Sequence, residues 1–281
     1  MATSEWAALR EALAQTTSRF VDLVKGVRDP GVAAVGTWSI GEVVAHVREV
    51  TAVNSLFALE LDPPEELRAL HAKAQQATMD KVAELNELAL NVWSERSPHL
   101  LAPAIREQVS TLLDGAAASS GDQQIAWLGR TRVPLKLILG HTLSELFVHG
   151  NDIARAMGRS FPLPRQQANL IFEMFLFELL RSPDVATFAA ARSTDVLPVA
   201  CELRLREAKP VVLVAQDGTV GVEDPGNWRR IDVRITADPA AMWLVMNNRV
   251  NPARAALTGS VVVWGRRPWR LRRLTRALRA A

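Results

Sequence analysis

The sequence predicts an α+β protein in which a four-helix bundle is followed by a smaller domain of strands and helices. Three observations predict it. Apolar residues recur at helical spacing in the first part of the chain, and alternating β-branched runs replace them from about Leu197 onward. The chain also has 281 residues, which is room for two domains of about 150 residues each. We therefore predict a bundle over residues 1–160 and an α+β domain over residues 161–281.

Four long helices are predicted in the first domain. The first runs to about Lys25 and carries an apolar stripe at Trp6, Leu9, Leu13, Phe20 and Val24. The second opens at Ser39, with Glu42 at the spacing of a capping box. The third starts at the Asp62-Pro63-Pro64 signal and runs to about Trp93, before a break at Pro98. The fourth runs from about Pro134 to Gly158, which completes a bundle.

The second domain is predicted to begin with a helix from Pro164 to Leu180. Alternating or β-branched runs then predict strands at residues 199–205, 211–215, 231–236 and 260–264. A short helix over residues 239–247 lies between the last two of these strands, and a basic helix closes the chain. This order of helices and strands is typical of an α+β domain.

The composition excludes several classes of protein. A hydrophobic fraction of 48% supports a full core and excludes a disordered chain. The one cysteine, Cys201, excludes an internal disulfide and a Cys-rich metal site, and we expect it to be a buried strand residue. No apolar run approaches the roughly 20 residues that span a bilayer, and residues 1–26 lack a secretory apolar segment. We therefore expect a cytoplasmic protein with no membrane span.

The positive charge is concentrated at the C-terminal end. The chain has 33 basic and 30 acidic residues, and its pI is near 9.5. Residues 266–281 contain seven arginines and no acid, so the remainder has 26 bases against 30 acids. Nucleic-acid binding is one alternative for this helix, but only Trp264 and Trp269 lie among the arginines and no recognised motif accompanies them. We favour a surface helix with solvated arginines and expect no nucleic-acid partner.

Histidines and a glutamate form the most informative pattern. His141, Glu145 and His149 follow one another at intervals of four residues, which places them on one face of the fourth helix. His46 lies in the apolar pattern of the second helix. Two histidines and a carboxylate from two facing helices match a three-ligand catalytic zinc site. A hydrogen-bonded core histidine or a solvated Glu/His face is the alternative, and spacing alone leaves both open.

Two segments of the sequence resemble a known family. Trp38-Ser39-Ile40-Gly41-Glu42-Val43-Val44-Ala45-His46-Val47 resembles a metal-binding segment of the DinB-like bundle proteins. Glu145-Leu146-Phe147-Val148-His149-Gly150-Asn151-Asp152-Ile153-Ala154 resembles the second metal segment of their mycothiol-dependent maleylpyruvate isomerase branch. The resemblance implies that His46, Glu145 and His149 bind a divalent metal, usually zinc.

The C-terminal part resembles the sterol-carrier-like partner domain of the same family. The resemblance lies in Ile235-Thr236-Ala237-Asp238-Pro239 and in Ala256-Leu257-Thr258-Gly259-Ser260-Val261-Val262-Val263-Trp264-Gly265. It implies that Arg249 faces a cleft, where its guanidinium would bind an acidic group of a substrate or cofactor.

The family resemblance implies a thiol-dependent reaction. Zinc with an open position would stabilise the thiolate of mycothiol or a similar low-molecular-weight thiol. Addition of that thiolate to an activated carbon–carbon double bond frees rotation, and elimination returns the trans isomer. The same thiolate attacking another electrophile would make the protein an S-transferase. The implied partners are a small electrophilic substrate and the thiol, and the oligomeric state is left open.

Two further residues are candidates for orienting the expected ligands. His141 lies one turn before Glu145, and Asp152 lies three residues after His149. Either suits this role, because a metal-bound histidine usually donates its other ring N–H to a partner. Asp152 could equally pair with Arg155. A different class of function is also open, namely a non-catalytic carrier that binds a metal or a lipid.

Overall fold

The computed structural model describes residues 2–77, 81–182, 198–216, 219–227 and 230–280. The chain divides into two compact units, Met1–Leu163 and Pro164–Ala281. The first unit contains helices and two small hairpins, and the second contains a five-stranded sheet with helices. The predicted α+β class is therefore confirmed. Within the described ranges, no helix is long and apolar enough to cross a membrane.

The first unit is a helical bundle with short additions. Its helices are α1 (Ala2–Lys25), α2 (Ile40–Ala58), α3 (Glu65–Ala74), α4 (Val82–Val92), α5 (Pro98–Gly115) and α6 (Leu135–Ala156). Two antiparallel hairpins accompany them, β1 (Ala33–Val35) with β2 (Trp38–Ser39) and β3 (Gln124–Ala126) with β4 (Arg132–Pro134). The bundle consists of α1, α2, α5 and α6, because α1 and α2 each pack against both α5 and α6.

The core of the bundle forms where the sequence pattern places it. The stripe predicted on α1 is buried along its whole length, from Trp6 to Val24. Phe20 on α1, Ile105 on α5 and Phe147 on α6 are among the largest fully buried side chains. Burial of such side chains stabilises the fold by roughly 1.5–3 kcal/mol each, relative to leaving them in water.

The third helix of the bundle differs from the prediction. Residues 62–93 were expected to form one long helix, but they contain the two shorter helices α3 and α4. These pack against α2 through a small cluster of Ala52, Leu56, Leu67, Leu70 and Ala89. The third bundle helix is instead α5, which begins at Pro98. A proline is favoured in the first turn of a helix, since its missing N–H would have no intrahelical partner there, so Pro98 marks a start and not a break.

The second unit is a mixed sheet with helices. It begins with the expected helix, which runs without a break through α7 (Arg165–Ile171), a π-helical stretch (Phe172–Leu176) and α8 (Phe177–Arg181). Five strands form the sheet in the order β7-β6-β5-β8-β9, and they are β5 (Val199–Leu205), β6 (Val211–Gln216), β7 (Thr219–Glu223), β8 (Val233–Ala237) and β9 (Val261–Trp264). Strands β5 and β8 are parallel, and the other neighbouring pairs are antiparallel.

Three helices complete the second unit: α9 (Pro239–Met246), α10 (Pro252–Leu257) and α11 (Leu271–Ala280). The basic helix α11 packs on β5, β6 and β7, and its Leu274 is buried. Two elements of this second unit, β7 and α10, were missing from the sequence prediction. Strand β7 contains Gly221, which weakens a strand pattern, and α10 has six residues, too few to show helical periodicity.

Candidate metal centre

Helices α2 and α6 lie antiparallel and bring the predicted ligands together. His46 lies in the second turn of α2, and the predicted Ser39–Glu42 capping box closes the start of that helix. Glu145 and His149 lie four residues apart on α6, so their side chains project from one face. One potential ligand atom from each of His46, Glu145 and His149 lies within 4.8 Å of the other two.

Glycines in both segments allow the close packing that surrounds these residues. A Cβ atom added to Gly41 would lie 2.8 Å from the carbonyl oxygen of Arg96. A Cβ atom added to Gly150, the residue after His149, would lie 2.5 Å from the ring of Phe161. Any larger residue would therefore push α2 or α6 away from its neighbours, next to the ligands that these helices carry.

Two of the three distances within the cluster match the edges of a tetrahedral metal site. Oε2 of Glu145 lies 3.3 Å from Nε2 of His46 and 3.4 Å from Nε2 of His149. Ligands at about 2.0–2.1 Å from a tetrahedral zinc ion are separated by about 3.4 Å, so both separations match an edge of that tetrahedron. Two imidazoles and one carboxylate are also a donor set that zinc and similar divalent ions prefer. The residues present therefore fit a divalent metal with one position left for another ligand.

Asp152 orients His149. Oδ2 of Asp152 lies 3.2 Å from Nδ1 of His149, and the aspartate is fully buried. A carboxylate accepts hydrogen bonds, so the ring proton of neutral His149 lies on Nδ1 and the lone pair of Nε2 faces Glu145. Arg155, which Asp152 was also expected to contact, lies 3.8 Å from its other oxygen and donates to the carbonyl oxygen of Ala34. Both expected interactions of Asp152 are therefore present together.

Three histidines surround the carboxylate of Glu145. Burial alone would raise the pKa of Glu145, but hydrogen bonds with His141, His149 and His46 outweigh it and hold that pKa well below its usual range. Burial alone would lower the pKa of His149, but the hydrogen bonds to Asp152 and Glu145 raise it to about 9. Burial lowers the pKa of His46, against an opposing hydrogen bond to Glu145. At neutral pH the metal-free site therefore holds an ionised Glu145 beside a protonated His149, whose Nε2 proton a bound metal would displace.

His141 stands at the more open side of the cluster. Its Nε2 lies 3.4 Å from Oε1 of Glu145, the oxygen that does not contact His46 or His149. The side chains of His141 and Glu145 are 18% and 21% exposed, whereas those of His46 and His149 are 4% and 9% exposed. The cluster is therefore most exposed to solvent at His141 and Glu145.

Aromatic rings contact two of the histidines. The Trp38 ring lies 5.1 Å from the His46 ring, and the Trp127 ring lies 5.3 Å from the His141 ring, centroid to centroid. Both tryptophans belong to the hairpin regions that precede α2 and α6. The wall beside the cluster is thus partly apolar, which lowers the local dielectric constant and strengthens electrostatic interactions in the site.

Sequence reasoning missed Asn54 and Thr142: the amide of Asn54 contacts both the His141 ring and the Thr142 hydroxyl. The spacing of these residues along the two helices could have indicated the contact. Asn54 lies two helical turns after His46, and His141 lies two turns before His149. Once α2 and α6 are taken as antiparallel with His46 opposite His149, these two positions must also face each other.

The other residues singled out in the sequence lie on elements other than α2 and α6. Arg249 follows α9 in the second unit, where its guanidinium donates to the carbonyl oxygen of Asn247 at 2.8 Å. Cys201 is fully buried on β5, as expected, and burial raises the pKa of its thiol to about 12. The other two histidines lie apart from the cluster in the fold: His99 is exposed on α5, and His71 is half-buried on α3 against the Phe57 ring.

The fold and site define a helical-bundle protein with a His/Glu/His cluster that could hold a metal. The family described as the mycothiol maleylpyruvate isomerase N-terminal domain matches residues 4–154. The chain belongs to this family, and the predicted resemblance is confirmed. A comparison with curated proteins finds no match.

Two solved structures of a mycothiol-dependent maleylpyruvate isomerase share the fold along most of the chain. One is a mutant at 12% identity with a TM-score of 0.52, and the other is at 11% identity with a TM-score of 0.50. In both cases the match covers 92% of each chain. A sterol carrier protein 2 from Yarrowia lipolytica matches 37% of this chain at 14% identity. Its TM-score of 0.26 is too low to support a conclusion about the fold.

Proposed function

We propose that this protein is a metal-dependent enzyme that activates a low-molecular-weight thiol, such as mycothiol, for reaction with a small electrophilic substrate. The observation that carries the proposal is the cluster of His46, Glu145 and His149, whose ligand atoms lie within 4.8 Å of one another. The reaction would be a cis–trans isomerisation like that of maleylpyruvate isomerase, or a transfer of the thiol sulfur to another electrophile.

The chain's own residues would divide the work as follows. His46, Glu145 and His149 hold the metal, which the chemistry of the donor set suggests is zinc. When bound, such an ion supplies positive charge that favours the thiolate form of a thiol at neutral pH. Asp152 holds the Nδ1 proton of His149 and keeps Nε2 free to act as a ligand. His141 holds the second oxygen of Glu145.

The substrate would be small and polar. Arg249 enters the proposal as a binding group for an acidic part of the substrate or of the thiol, since a guanidinium matches a carboxylate in charge and shape. Cys201 is excluded as the nucleophile, because its thiol is buried and its pKa is raised to about 12. The reacting sulfur must therefore come from an added thiol.

The proposal can be tested by metal analysis together with a thiol-cofactor screen. Purified protein should contain about one divalent metal per chain, as a three-ligand site binds a single ion. His149→Ala should lose the metal and all thiol-dependent turnover of an electrophile. His99→Ala is the matched control, because His99 is an exposed histidine on α5, and it should behave as the wild type.

Two outcomes would contradict the proposal in different ways. Thiol-dependent turnover by metal-free protein would show that the cluster does not act through a metal. Metal binding without turnover, or a co-purified lipid without metal dependence, would favour the non-catalytic carrier. The presence of a metal alone would therefore not be sufficient support for an enzyme.

A further inference from the structure

A series of hydrogen bonds connects the backbone of α6 to Asn54 on α2, and from Asn54 to His141 on α6. Oγ1 of Thr142 lies 2.8 Å from the carbonyl oxygen of Ile138. A carbonyl oxygen only accepts, so Thr142 donates its single hydroxyl proton there. Nδ2 of Asn54 lies 3.0 Å from the same Thr142 oxygen, which is left as an acceptor. The amide of Asn54 is thereby fixed with its NH₂ group towards α6.

The orientation of Asn54 decides which ring nitrogen of His141 carries the proton. Nδ2 of Asn54 lies 3.1 Å from Nδ1 of His141. An NH₂ group only donates, so Nδ1 of His141 accepts and the ring proton lies on Nε2. That Nε2 lies 3.4 Å from Oε1 of Glu145. The N–H of His141 therefore points at one particular oxygen of Glu145.

The two oxygens of Glu145 are thus assigned to different partners. Oε2 contacts Nε2 of His46 and Nε2 of His149, while Oε1 faces His141. An oxygen that accepts an N–H from a fixed imidazole is a weaker and differently directed ligand for a cation. The two oxygens of the Glu145 carboxylate therefore differ in their hydrogen-bond partners in the metal-free site.

We infer that Asn54 and His141 are positioning residues that make Glu145 bind the metal through Oε2 alone. This inference rests on the proposed metal-dependent function. Coordination through one oxygen leaves a position of the metal open for an outside ligand, which a thiol-activating site needs. The exposed fractions of His141 and Glu145 place the entry for that ligand on their side of the cluster.

A purely structural role for Asn54 makes a different prediction. Asn54 is buried between α2 and α6, and its loss would lower stability whatever it does at the site. Such a role would leave the proton position of His141 and the affinity for metal unchanged. The tests below therefore measure those two properties.

The first arm needs no metal. Nitrogen-15 NMR of the histidine rings in metal-free protein should show His141 protonated at Nε2 in the wild type and a mixture of both tautomers in Asn54→Leu. Ser55→Ala is the matched control, because Ser55 is the next buried residue of α2 and its hydroxyl faces α5 and not α6. The hydroxyl shares its proton between the carbonyl oxygens of Thr51 on α2 and Gln108 on α5. A wild-type His141 protonated at Nδ1 would overturn the inference.

The second arm measures coordination. Zinc affinity by chelator competition should fall about 10-fold in Asn54→Leu, at the lower end of effects for such supporting residues. The visible absorption of the Co²⁺ form should change in the same variant and stay unchanged in Ser55→Ala. In a double-mutant cycle, Asn54→Leu should add little to His141→Ala, because Asn54 acts through His141.

The outcomes separate this inference from the proposed function. A wild-type protein that binds no zinc would overturn the proposed function and, with it, the coordination role of Asn54 and His141. Zinc binding by the wild type, with unchanged affinity and cobalt spectrum in Asn54→Leu, would overturn this inference alone. Full additivity of Asn54→Leu with His141→Ala would also overturn it.

Discussion

The bundle contains two glutamates, Glu145 on α6 and Glu49 on α2, in opposite surroundings. Glu145 has three histidines around it, and its pKa is held well below the usual range. Glu49 is 1% exposed, and within the described residues neither of its oxygens has a hydrogen-bond partner. Burial raises the pKa of Glu49 to about 8, although Arg96 and Arg48 oppose the shift.

Two arginines act on the charge of Glu49, but their guanidinium groups are directed at other groups. The guanidinium of Arg48 lies over the Trp93 ring, 3.3 Å from its centroid. The guanidinium of Arg96 donates to the carbonyl oxygens of Leu90 and Trp93 at the end of α4. Their charge lowers the pKa of Glu49, but within the described residues neither guanidinium donates a hydrogen bond to its carboxylate. Burial alone therefore does not make a carboxylate a metal ligand, because its hydrogen-bond partners decide whether it is ionised.

The strongest test of this comparison applies one substitution to both carboxylates. Glu145→Gln should lower zinc affinity by about 100-fold or more, because it removes the anionic ligand between His46 and His149. Glu49→Gln should leave zinc affinity within about two-fold of the wild type. Chelator competition on both variants measures this. Equal losses in the two variants would mean that Glu145 has no special role.

The second prediction concerns pH and stability. The pKa of Glu49 is raised from 4.5 to about 8, so between these values the folded chain holds one proton more than the unfolded chain. The free energy of unfolding should therefore fall as the pH rises, with Glu49 contributing about 1.4 kcal/mol per pH unit. Glu49→Gln should remove this slope. Denaturant unfolding at pH 5, 6, 7 and 8 would check it, and an unchanged slope in the variant would refute it.

The third prediction has a smaller effect. Asp152→Asn should weaken zinc binding about 10-fold, because the amide can present its NH₂ group to Nδ1 of His149 and shift the ring proton to Nε2. Asp122→Asn is the matched control, since Asp122 is an exposed aspartate that pairs with Lys136. A similar loss in both variants would point to a general effect of charge.

The smallest effect is expected at Cys201. Cys201→Ala should leave thiol-dependent turnover within about two-fold of the wild type, because the buried thiol is neither ionised nor accessible. Steady-state rates with an added thiol measure this. Loss of turnover in a variant that remains folded by circular dichroism would place the nucleophile on the protein.

The sequence predicted those parts of the molecule that depend on local spacing. The stripe on α1, the capping box of α2 and the four-residue spacing of Glu145 and His149 each follow from helix geometry. Four of the five strands in the sheet of the second unit were found because their β-branched residues form recognisable runs, whereas the four short hairpin strands of the first unit were not predicted. The resemblance added His46, which has no neighbour in the chain to mark it as a ligand.

The remaining features depend on contacts between distant parts of the chain. The hydrogen bond between Asn54 and His141 joins residues 87 positions apart, so only the pairing of α2 with α6 reveals it. Helix α5 was missed because Pro98 marks a helix start as well as it marks a break. The protonation of Glu49 depends on how deeply it is buried and on where the guanidinium groups of Arg48 and Arg96 are placed, and both are set by tertiary packing.

The most direct test of the central claim is the zinc content of the wild type, Glu145→Gln and Glu49→Gln after reconstitution and desalting, measured by inductively coupled plasma mass spectrometry. We expect about one zinc per chain in the wild type and in Glu49→Gln, and less than about a tenth of that in Glu145→Gln. A wild type without zinc, or a Glu145→Gln variant that retains it, would contradict the assignment of His46, Glu145 and His149 as a metal site.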